Sequence, residues 1–327
     1  MVQNLSIIIP SYNEEENINE LYKRINQTLE DTDINNFEII FIENGSSDNS
    51  LEILKKLNEQ DKKVKIVSFS RNFGYQNAIL AGLNYSKNDH VCILDGDLQD
   101  PPEIIKDFIT KAREGYDVVY GIRKKREATF FKKISYKIFY YFYQKLSEIN
   151  VPKEVGEFCL MNKKVVNHII NLKEKNLFIR GLRTWLGFNQ IGVEYNRLDR
   201  NKGKPKFSFY DSFILGLDGI ISFTKVPLRA VLILGIVLSS LSLFYFLFIF
   251  ITKILVIFGF DMPSWLIMPK GLTIMNLIMV TFFSLIVLIL GIIGEYIGKI
   301  YSEVKSRPRY IVKEFIEWVI EDKRINS

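Results

Sequence analysis

Two aspartates separated by one glycine, Asp95 and Asp97, directly follow the apolar run HVCIL at positions 90–94. The run predicts a buried strand, and Gly96 allows another backbone to come close. Two carboxylates at this spacing can converge on one hard cation, and oxygen ligands favour Mg²⁺ or Mn²⁺. Such a cation would neutralise the charge that grows on a departing diphosphate. The motif alone is weak, because acids at strand ends are often solvated turn residues.

Three more polar clusters follow predicted strands. They are PSYNE at 10–14, ENGSSD at 43–48 and RNFG at 71–74. Any one of them could cap a helix, as Ser47 or Asp48 could. Because the carboxyl ends of parallel strands meet at one edge of a sheet, four such clusters together predict a ligand site there.

The elements that carry these clusters alternate in type. Predicted strands at 5–10, 37–43, 64–70, 90–97 and 117–123 are separated by segments with helical spacing, such as Ile18, Leu21, Ile25 and Leu29. This alternation predicts an α/β domain over residues 1–225, with a mostly parallel sheet covered by helices on both faces.

The C-terminal third has a different composition. Residues 230–252 and 271–294 are runs of 23 and 24 residues without a charge. Each exceeds the ~20 apolar residues that a helix needs to cross a bilayer, so two transmembrane helices are predicted within 226–298. Basic residues flank both runs, among them Arg229 and Lys299. The chain is therefore expected to be an integral protein of the cytoplasmic membrane, with its catalytic domain, both termini and the tail 299–327 in the cytoplasm.

The net charge of +6 has no nucleic-acid-binding motif beside it, and the basic residues concentrate near the apolar runs. Membrane lipids are therefore the expected partner, not nucleic acid. Residues 124–147 mix basic and aromatic residues at helical spacing, which predicts an amphipathic helix in the membrane interface; the alternative is a helix packed on the sheet. Gly291, Gly294 and Gly298 lie on one side of the second run, where a helix from the same chain or from another subunit of a homo-oligomer could pack.

The chain resembles the GT-A family 2 glycosyltransferases, and within them the polyprenyl-phosphate glycosyltransferases related to dolichol-phosphate mannose synthase. The resemblance covers nearly the whole chain, including the two C-terminal helices of the bacterial branch. It is carried by PSYNEEENI, ENGSSDNS, SRNFGYQNAILAGL, LDGDLQDPPE, GEFCLMNKKVV, FIRGLRTWLGF and LGLDGIISFTKVPLR. It implies a Rossmann-like GT-A fold.

The resemblance also implies roles for single residues. Asp97 would be the principal metal ligand and a catalytic residue, with Asp95 and Gly96 beside the ribose or the metal. The nucleotide would be framed by Pro10, Tyr12, Glu14, Glu43, Asn44 and Arg71. The family usually has two aspartates where this chain has Glu43-Asn44, and this departure bears on which nucleotide is bound. UDP is the first choice of nucleotide and GDP the alternative.

Glu157 stands where the family has an aspartate that is the candidate catalytic base, in GEFCL instead of GDFRL. The second pKa of a phosphate monoester is about 6, so the acceptor is largely a dianion at pH 7 and needs little deprotonation. Glu157 is therefore expected to orient substrate; the alternatives are a base and a surface glutamate.

The anionic acceptor needs cations, and the loop 197–210 resembles the family's acceptor loop. The expected phosphate-binding residues are Arg123, Arg126, Arg197, Arg200, Lys202, Lys204 and Lys206. Arginine binds phosphate through two donors, whereas lysine acts as a point charge. Some of these residues would instead contact lipid headgroups.

Together these features predict a metal-dependent, inverting transfer of one sugar from a nucleotide-sugar to a polyprenyl phosphate, for cell-envelope glycan modification. Within enzymes, a GDP-mannose-using mannosyltransferase is the alternative. A processive polysaccharide synthase would need a Q-x-x-R-W motif and more spans. A non-catalytic membrane adaptor with a retained nucleotide-binding fold is the remaining alternative. A nicotinamide enzyme is disfavoured, since no G-x-G-x-x-G follows a strand.

Overall fold

The computed structural model describes residues 2–124, 155–174, 177–198 and 272–318, together with scattered helical positions between 233 and 259. The chain divides into two compact units. The first holds residues 1–145, 149–214 and 306–327, and the second holds mainly residues 215–305.

The N-terminal half of the first unit builds a parallel sheet with the predicted alternation. Its elements are β1 (Asn4–Ser11), α1 (Ile18–Glu30), β2 (Asn36–Glu43), α2 (Ser50–Gln60), β3 (Val64–Phe69), α3 (Tyr75–Tyr85) and β4 (His90–Ile93). β1 pairs in parallel with both β2 and β4, and β2 pairs in parallel with β3. The predicted α/β fold class is confirmed.

The remaining described strands turn this into a mixed sheet. The later elements are α4 (Ile105–Arg113), β5 (Val118–Arg123), β6 (Val155–Asn162), α5 (Lys163–Asn171), α6 (Ile179–Trp185), β7 (Gln190–Tyr195) and β8 (Val312–Ile316). The order is β7-β5-β6-β4-β1-β2-β3-β8. β6 is antiparallel to β4 and β5, and β8 is antiparallel to β3, so four of the seven neighbouring pairs are parallel. Sequence analysis did not identify β6, β7 or β8.

Alternation along the strands supplies a core on each face of the sheet. Ile7 and Ile9 of β1 pack with α1 on one face, while Ile8 packs with α3 on the other. The predicted apolar spacing of α1 is confirmed, because Ile18, Leu21, Ile25 and Leu29 are all buried. Apolar residues repeat every 2 positions on the strands and about every 3.6 positions on the helices. They therefore bury both faces of the sheet, as a parallel sheet requires.

The segment after residue 305 contributes the edge strand β8, although sequence analysis treated 299–327 only as a tail. Glu317, just beyond β8, accepts ion pairs from Lys65 at 2.5 Å and from Lys87 at 2.8 Å, and Lys65 also contacts Glu38 at 2.7 Å. These long-range pairs fix the C-terminal strand to the domain. The alternating polarity of these five residues does not predict that β8 pairs with β3, because a strand's partner is not encoded locally.

The second unit contains the helix Leu272–Val304. Among the residues that the structure describes, no helix is long and apolar enough to cross a membrane. A Cβ added at Gly291, Gly294 or Gly298 would meet no described atom within 4 Å. Most of the predicted interfacial helix at 124–147 and most of the first apolar run at 230–252 lie outside the described residues.

Gly82 gives a test of the packing of α3 on β1. A Cβ added there would lie 2.1 Å from Cγ2 of Ile8. Overpacking of this kind costs about 1–3 kcal/mol, which outweighs the ~1 kcal/mol that alanine gains over glycine in a helix. We expect Gly82→Ala to lower the free energy of unfolding by up to about 2 kcal/mol in a urea titration.

The control for this prediction is Ile8→Ala, alone and combined with Gly82→Ala. The second substitution should cost less in the Ile8→Ala background, because the clashing methyl group is gone. Equal costs in both backgrounds would contradict the assigned contact.

Candidate active site

The carboxyl ends of β1 and β4 bring Pro10 and the Asp95-Gly96-Asp97 turn together. A Cβ added at Gly96 would lie 3.1 Å from the carbonyl oxygen of Pro10. The close backbone approach expected at Gly96 is therefore present. Asp95 and Asp97 are half-buried, and Oδ1 of Asp97 accepts from the backbone N–H of Gln99 at 3.2 Å.

Asp95 lies in a strongly perturbed environment. The hydroxyl of Tyr75 donates to its Oδ1, and Nη2 of Arg123 lies 4.0 Å from its Oδ2. Burial and the nearby charge of Asp100 raise the pKa of Asp95 to about 7, a shift that Asp97 increases and that Tyr75 and Arg123 oppose. A carboxylate in this setting would be stabilised by an added positive charge.

Asp100 is the buried centre of the site, and sequence reasoning missed it. It is 0 % exposed and accepts from the Tyr195 hydroxyl at 2.6 Å and from Nη2 of Arg123 at 3.2 Å. Nε of Arg197 lies 3.3 Å from its Oδ1. The third acid of LDGDLQD was the available signal, but only the fold shows that it meets two arginines.

Two predicted phosphate-binding residues, Arg123 and Arg197, are therefore held by one buried carboxylate. Gly156 permits this arrangement, because a Cβ there would lie 2.6 Å from Nη2 of Arg123. Burial lowers the pKa of Arg123, but the charges of Asp100 and Tyr195 outweigh burial and raise this pKa above its usual value, so the charge of Arg123 is fixed. Arg126, Arg200, Lys202, Lys204 and Lys206 lie outside the described residues.

Glu157 lies on β6, which is antiparallel to β4. Ile93 pairs with Cys159, so the same register continued for two residues places Glu157 opposite Asp95. Glu157 is only 7 % exposed; its Oε1 accepts from Nε2 of Gln76 at 3.1 Å, and its buried Oε2 has no hydrogen bond from the described residues. Burial and the charges of Asp95 and Glu157 raise the pKa of Tyr75, which places the three groups in one electrostatic cluster. Glu157 is thus a buried site residue and not a surface glutamate.

A second group of predicted residues organises the adjoining loops. Glu43 is 2 % exposed, and its carboxylate accepts from the backbone of Ser46 and from the Ser68 hydroxyl at 2.9 Å. Oδ1 of Asn44 accepts from the backbone N–H of Phe73 at 2.9 Å. The Glu43 carboxylate and the Asn44 amide oxygen therefore join the loop after β2 to β3 and to the loop that follows it.

Gly45 completes this junction. Its φ is +69°, and a Cβ there would lie 2.5 Å from the carbonyl carbon of Arg71. The Arg71 side chain is exposed, and its guanidinium lies 4.1 Å from the centre of the Phe73 ring. Arg71 is thus available to a ligand while Glu43 and Asn44 shape the loops beneath it.

The loop after β1 is tied to α1 and α2. Glu14 is largely buried; its Oε2 accepts from Asn17 at 2.6 Å, and its backbone N–H donates to the Ser50 hydroxyl at 2.9 Å. Tyr12 is half-buried on the same loop. The hydroxyl of Ser11 is buried beside Gly96 and has no hydrogen bond from the described residues. This loop therefore places polar groups beside Asp95 at the same edge of the sheet.

The acidic side chains at this edge form a candidate metal site. Within the described part of the chain, no group of three or more His, Cys, Asp or Glu side chains could hold a metal ion. Two half-buried carboxylates, Asp95 and Asp97, match a Mg²⁺-type site in which one or two protein carboxylates are completed by substrate phosphates. The residues present fit a shared protein–diphosphate site.

Known proteins similar to this chain include glycosyltransferases that match nearly all of it. The uncharacterized glycosyltransferase YkcC of Bacillus subtilis (strain 168) is 42% identical over 98% of this chain and 96% of its own. The bactoprenol glucosyl transferase of Shigella phage SfX is 37% identical over 94% of this chain and 98% of its own. Among solved structures, mannosyl-3-phosphoglycerate synthase from Rubrobacter xylanophilus is 14% identical, with a TM-score of 0.45 over 66% of this chain and 71% of that one.

The family model Glycosyl transferase family 2 matches residues 6–170. The matched segment contains the strand-end loops of β1 to β4 and Glu157, all described above. The chain therefore belongs to glycosyl transferase family 2.

Proposed function

We propose that this glycosyltransferase moves one sugar from a nucleotide-sugar to a polyprenyl phosphate, with glucose as the first sugar and UDP as the first nucleotide to test. The carrying observation is the buried cluster at one sheet edge, in which Arg123 lies 4.0 Å from Asp95 and pairs with Asp100, while Glu157 lies opposite Asp95 in the continued register of β4 and β6. The names of relatives such as the bactoprenol glucosyl transferase support the sugar and the lipid.

The acids of the cluster would hold the donor diphosphate through a cation. Asp95 and Asp97 would hold Mg²⁺ or Mn²⁺, which supplies positive charge against the leaving diphosphate. Asp95 suits this role because burial and Asp100 disfavour its charge in the absence of a cation. The hydrogen bond from Tyr75 orients its carboxylate.

The transfer would be a single inverting displacement. An oxygen of the lipid phosphate attacks the anomeric carbon, a new carbon–oxygen bond forms, and the bond to the nucleoside diphosphate breaks with its electron pair. The attacking phosphate is largely a dianion at pH 7, so no proton must leave it. Glu157 would orient the sugar or the acceptor through its Oε2, which has no hydrogen bond from the described residues, while Gln76 fixes its other oxygen.

The cations of the cluster would receive the acceptor phosphate. Asp100 holds the guanidinium groups of Arg123 and Arg197 in place before any ligand arrives. Pre-positioned donors lose little conformational entropy when an anion binds. Arg126, Arg200, Lys202, Lys204 and Lys206 would add charge from neighbouring segments.

A membrane location follows from the same proposal. β1 and β8 belong to one sheet, so the chain between them must cross a bilayer an even number of times or not at all. The uncharged runs 230–252 and 271–294 would supply two crossings. With basic residues on the flanks, the catalytic domain and both ends of the chain would lie in the cytoplasm. There the lipid phosphate of the acceptor is at headgroup level.

Removal of the Asp97 carboxylate tests the enzymatic proposal. We expect Asp97→Asn to lower the rate of sugar transfer by about 100-fold or more, because the charge opposite the leaving diphosphate is lost. The measurement uses full-length protein in detergent, undecaprenyl phosphate, Mg²⁺ or Mn²⁺, and UDP-glucose beside UDP-N-acetylglucosamine and GDP-mannose. The product is quantified as lipid-linked sugar.

Asp107→Asn is the matched control, since Asp107 is an exposed aspartate on α4. This variant should keep wild-type activity. Transfer from none of the donors, or equal rates for the wild type and Asp97→Asn, would reject the proposal.

The Asp95 carboxyl predicts a pH-dependent stability of the metal-free protein. Its pKa of about 7 lies above the ordinary 3.8, so between these values the folded state keeps a proton that the unfolded state releases. Stability is therefore lost as the pH rises through this window. Asp95→Asn removes the titration while it keeps an acceptor for Tyr75.

We expect the Tm of Asp95→Asn minus that of the wild type, measured in EDTA, to grow between pH 4.5 and pH 7.5 by a few degrees. Asp107→Asn should show a constant difference. A constant difference for Asp95→Asn would mean that Asp95 is not buried among like charges.

Glu157→Gln separates orientation from proton removal. We expect kcat to fall by about tenfold, and by the same factor at pH 6 and at pH 8, because the dianionic acceptor needs no base. The neutral side chain still accepts from Gln76, so the loop geometry should persist. Loss of turnover at pH 6 with full activity at pH 8 would instead assign Glu157 as the base.

A further inference from the structure

Tyr310, near the C-terminus, supports the exposed loop after β3, which comprises residues 70–74. Phe69 ends β3 and is 2 % exposed. The ring of Tyr310 stacks on it, with centroids 5.1 Å apart and planes 13° apart. Phe73 meets Phe69 edge to face at 5.8 Å. The three rings form a continuous layer in which Phe69 separates Tyr310 from the loop.

Arg71 extends this layer through its contact with the Phe73 ring. Its guanidinium lies 4.1 Å from the centre of the Phe73 ring, and its Nη1 donates to the carbonyl of Asn72 at 3.0 Å. The side chain is exposed at the edge of the sheet where the predicted nucleotide-binding residues lie. Since a stacked guanidinium follows the ring beneath it, the position of Phe73 sets that of Arg71.

The backbone on both sides of this loop is also fixed. Ser70 donates its N–H to the carbonyl of Ile311 at 3.1 Å, beside the register shift at Ser68 and Phe69 where β3 pairs with β8. Phe73 donates its N–H to Asn44, and two residues later α3 begins with Tyr75, whose hydroxyl donates to Asp95. The loop therefore joins the Glu43-Asn44 region to the acidic cluster.

Tyr310 makes a second contact, through its hydroxyl, that is distinct from the contact of its ring with Phe69. Nδ2 of Asn84 donates to the Tyr310 hydroxyl at 3.2 Å, and Asn84 lies near the end of α3 away from the loop. The ring contact with Phe69 therefore supports the loop after β3, whereas the hydroxyl contact holds the distant end of α3. Only five residues separate Tyr310 from the end of the helix Leu272–Val304.

We infer that Tyr310 is a positioning residue for the nucleotide-sugar: through Phe69 and Phe73 it holds Arg71 in the place where the donor binds. The inference rests on the proposed function, since it gives Arg71 a donor to bind. It makes the segment that follows the C-terminal helix part of the donor site, although Tyr310 lies 239 residues after Arg71 in the sequence.

The test is steady-state kinetics on full-length protein, with UDP-glucose varied and undecaprenyl phosphate saturating, and then the reverse. Tyr310→Ala should raise KM for the donor by about three- to tenfold, the range expected for loss of one aromatic contact. The kcat and the KM for the acceptor should change less than about twofold. Tyr310→Phe keeps the ring and should restore the donor KM.

Phe315→Ala is the matched control. Phe315 lies on β8, five residues after Tyr310, and its ring centroid lies 4.7 Å from that of Tyr85 at the far end of α3. It should lower Tm comparably to Tyr310→Ala while leaving the donor KM unchanged. If Phe315→Ala raises the donor KM as much as Tyr310→Ala does, the effect is general destabilisation and the inference is wrong.

Coupling to Arg71 gives a second readout. Arg71→Ala should raise the donor KM by itself, and adding Tyr310→Ala should then have little further effect, because the held group is already absent. Fully additive effects would overturn the inference. A wild-type protein that transfers no sugar would reject the proposed function, whereas an active wild type with an unchanged donor KM in Tyr310→Ala rejects only this inference.

Discussion

The ionic contact between Asp100 and Arg123 is the constraint on which the site depends. Asp100 is 0 % exposed, and an ionised carboxylate in that position is costly unless it is paired and hydrogen-bonded. Arg123, Tyr195 and Arg197 supply those partners from β5, from β7 and from the residues just after β7. The antiparallel half of the sheet is thereby tied to the loop that carries Asp95 and Asp97. Removing one of these partners would leave the buried charge less fully compensated.

The acids at this edge of the sheet differ in how fully their charges are compensated. Asp100 is neutralised by arginine, whereas Asp95 lies 4.0 Å from Arg123 and keeps a raised pKa. The charge of Asp100 is thus balanced by arginine, whereas Asp95 lies among like charges that disfavour its ionisation. A diphosphate that brings a cation would offset those like charges, and the fixed arginines would then face the anionic acceptor. Binding and catalysis would use the same few charges.

The C-terminal segment adds a second dependence, between the edge of the sheet and the loop after β3. β8 is a short edge strand, yet Lys65 and Lys87 hold its end through Glu317. Tyr310 uses that anchorage to support Phe69 and the loop beyond it. An edge strand that follows the apolar helix in sequence also covers backbone groups that would otherwise be exposed for intermolecular pairing.

The sequence by itself determined the first five strands, the helices between them, and the clustering of polar residues at the strand ends. It could do so because strand and helix periodicities are local, and because parallel strands align their carboxyl ends. Asp95, Gly96 and Glu157 were identified in this way or through their motifs, and the structure brings them together. Only the tertiary structure decided that Asp100 is the buried partner of Arg123 and Arg197, that Glu43 and Asn44 fix loops, and that Tyr310 supports Phe69. These contacts join residues from 23 to more than 200 positions apart, and their partners are selected by packing and desolvation, which no local pattern of residue types records.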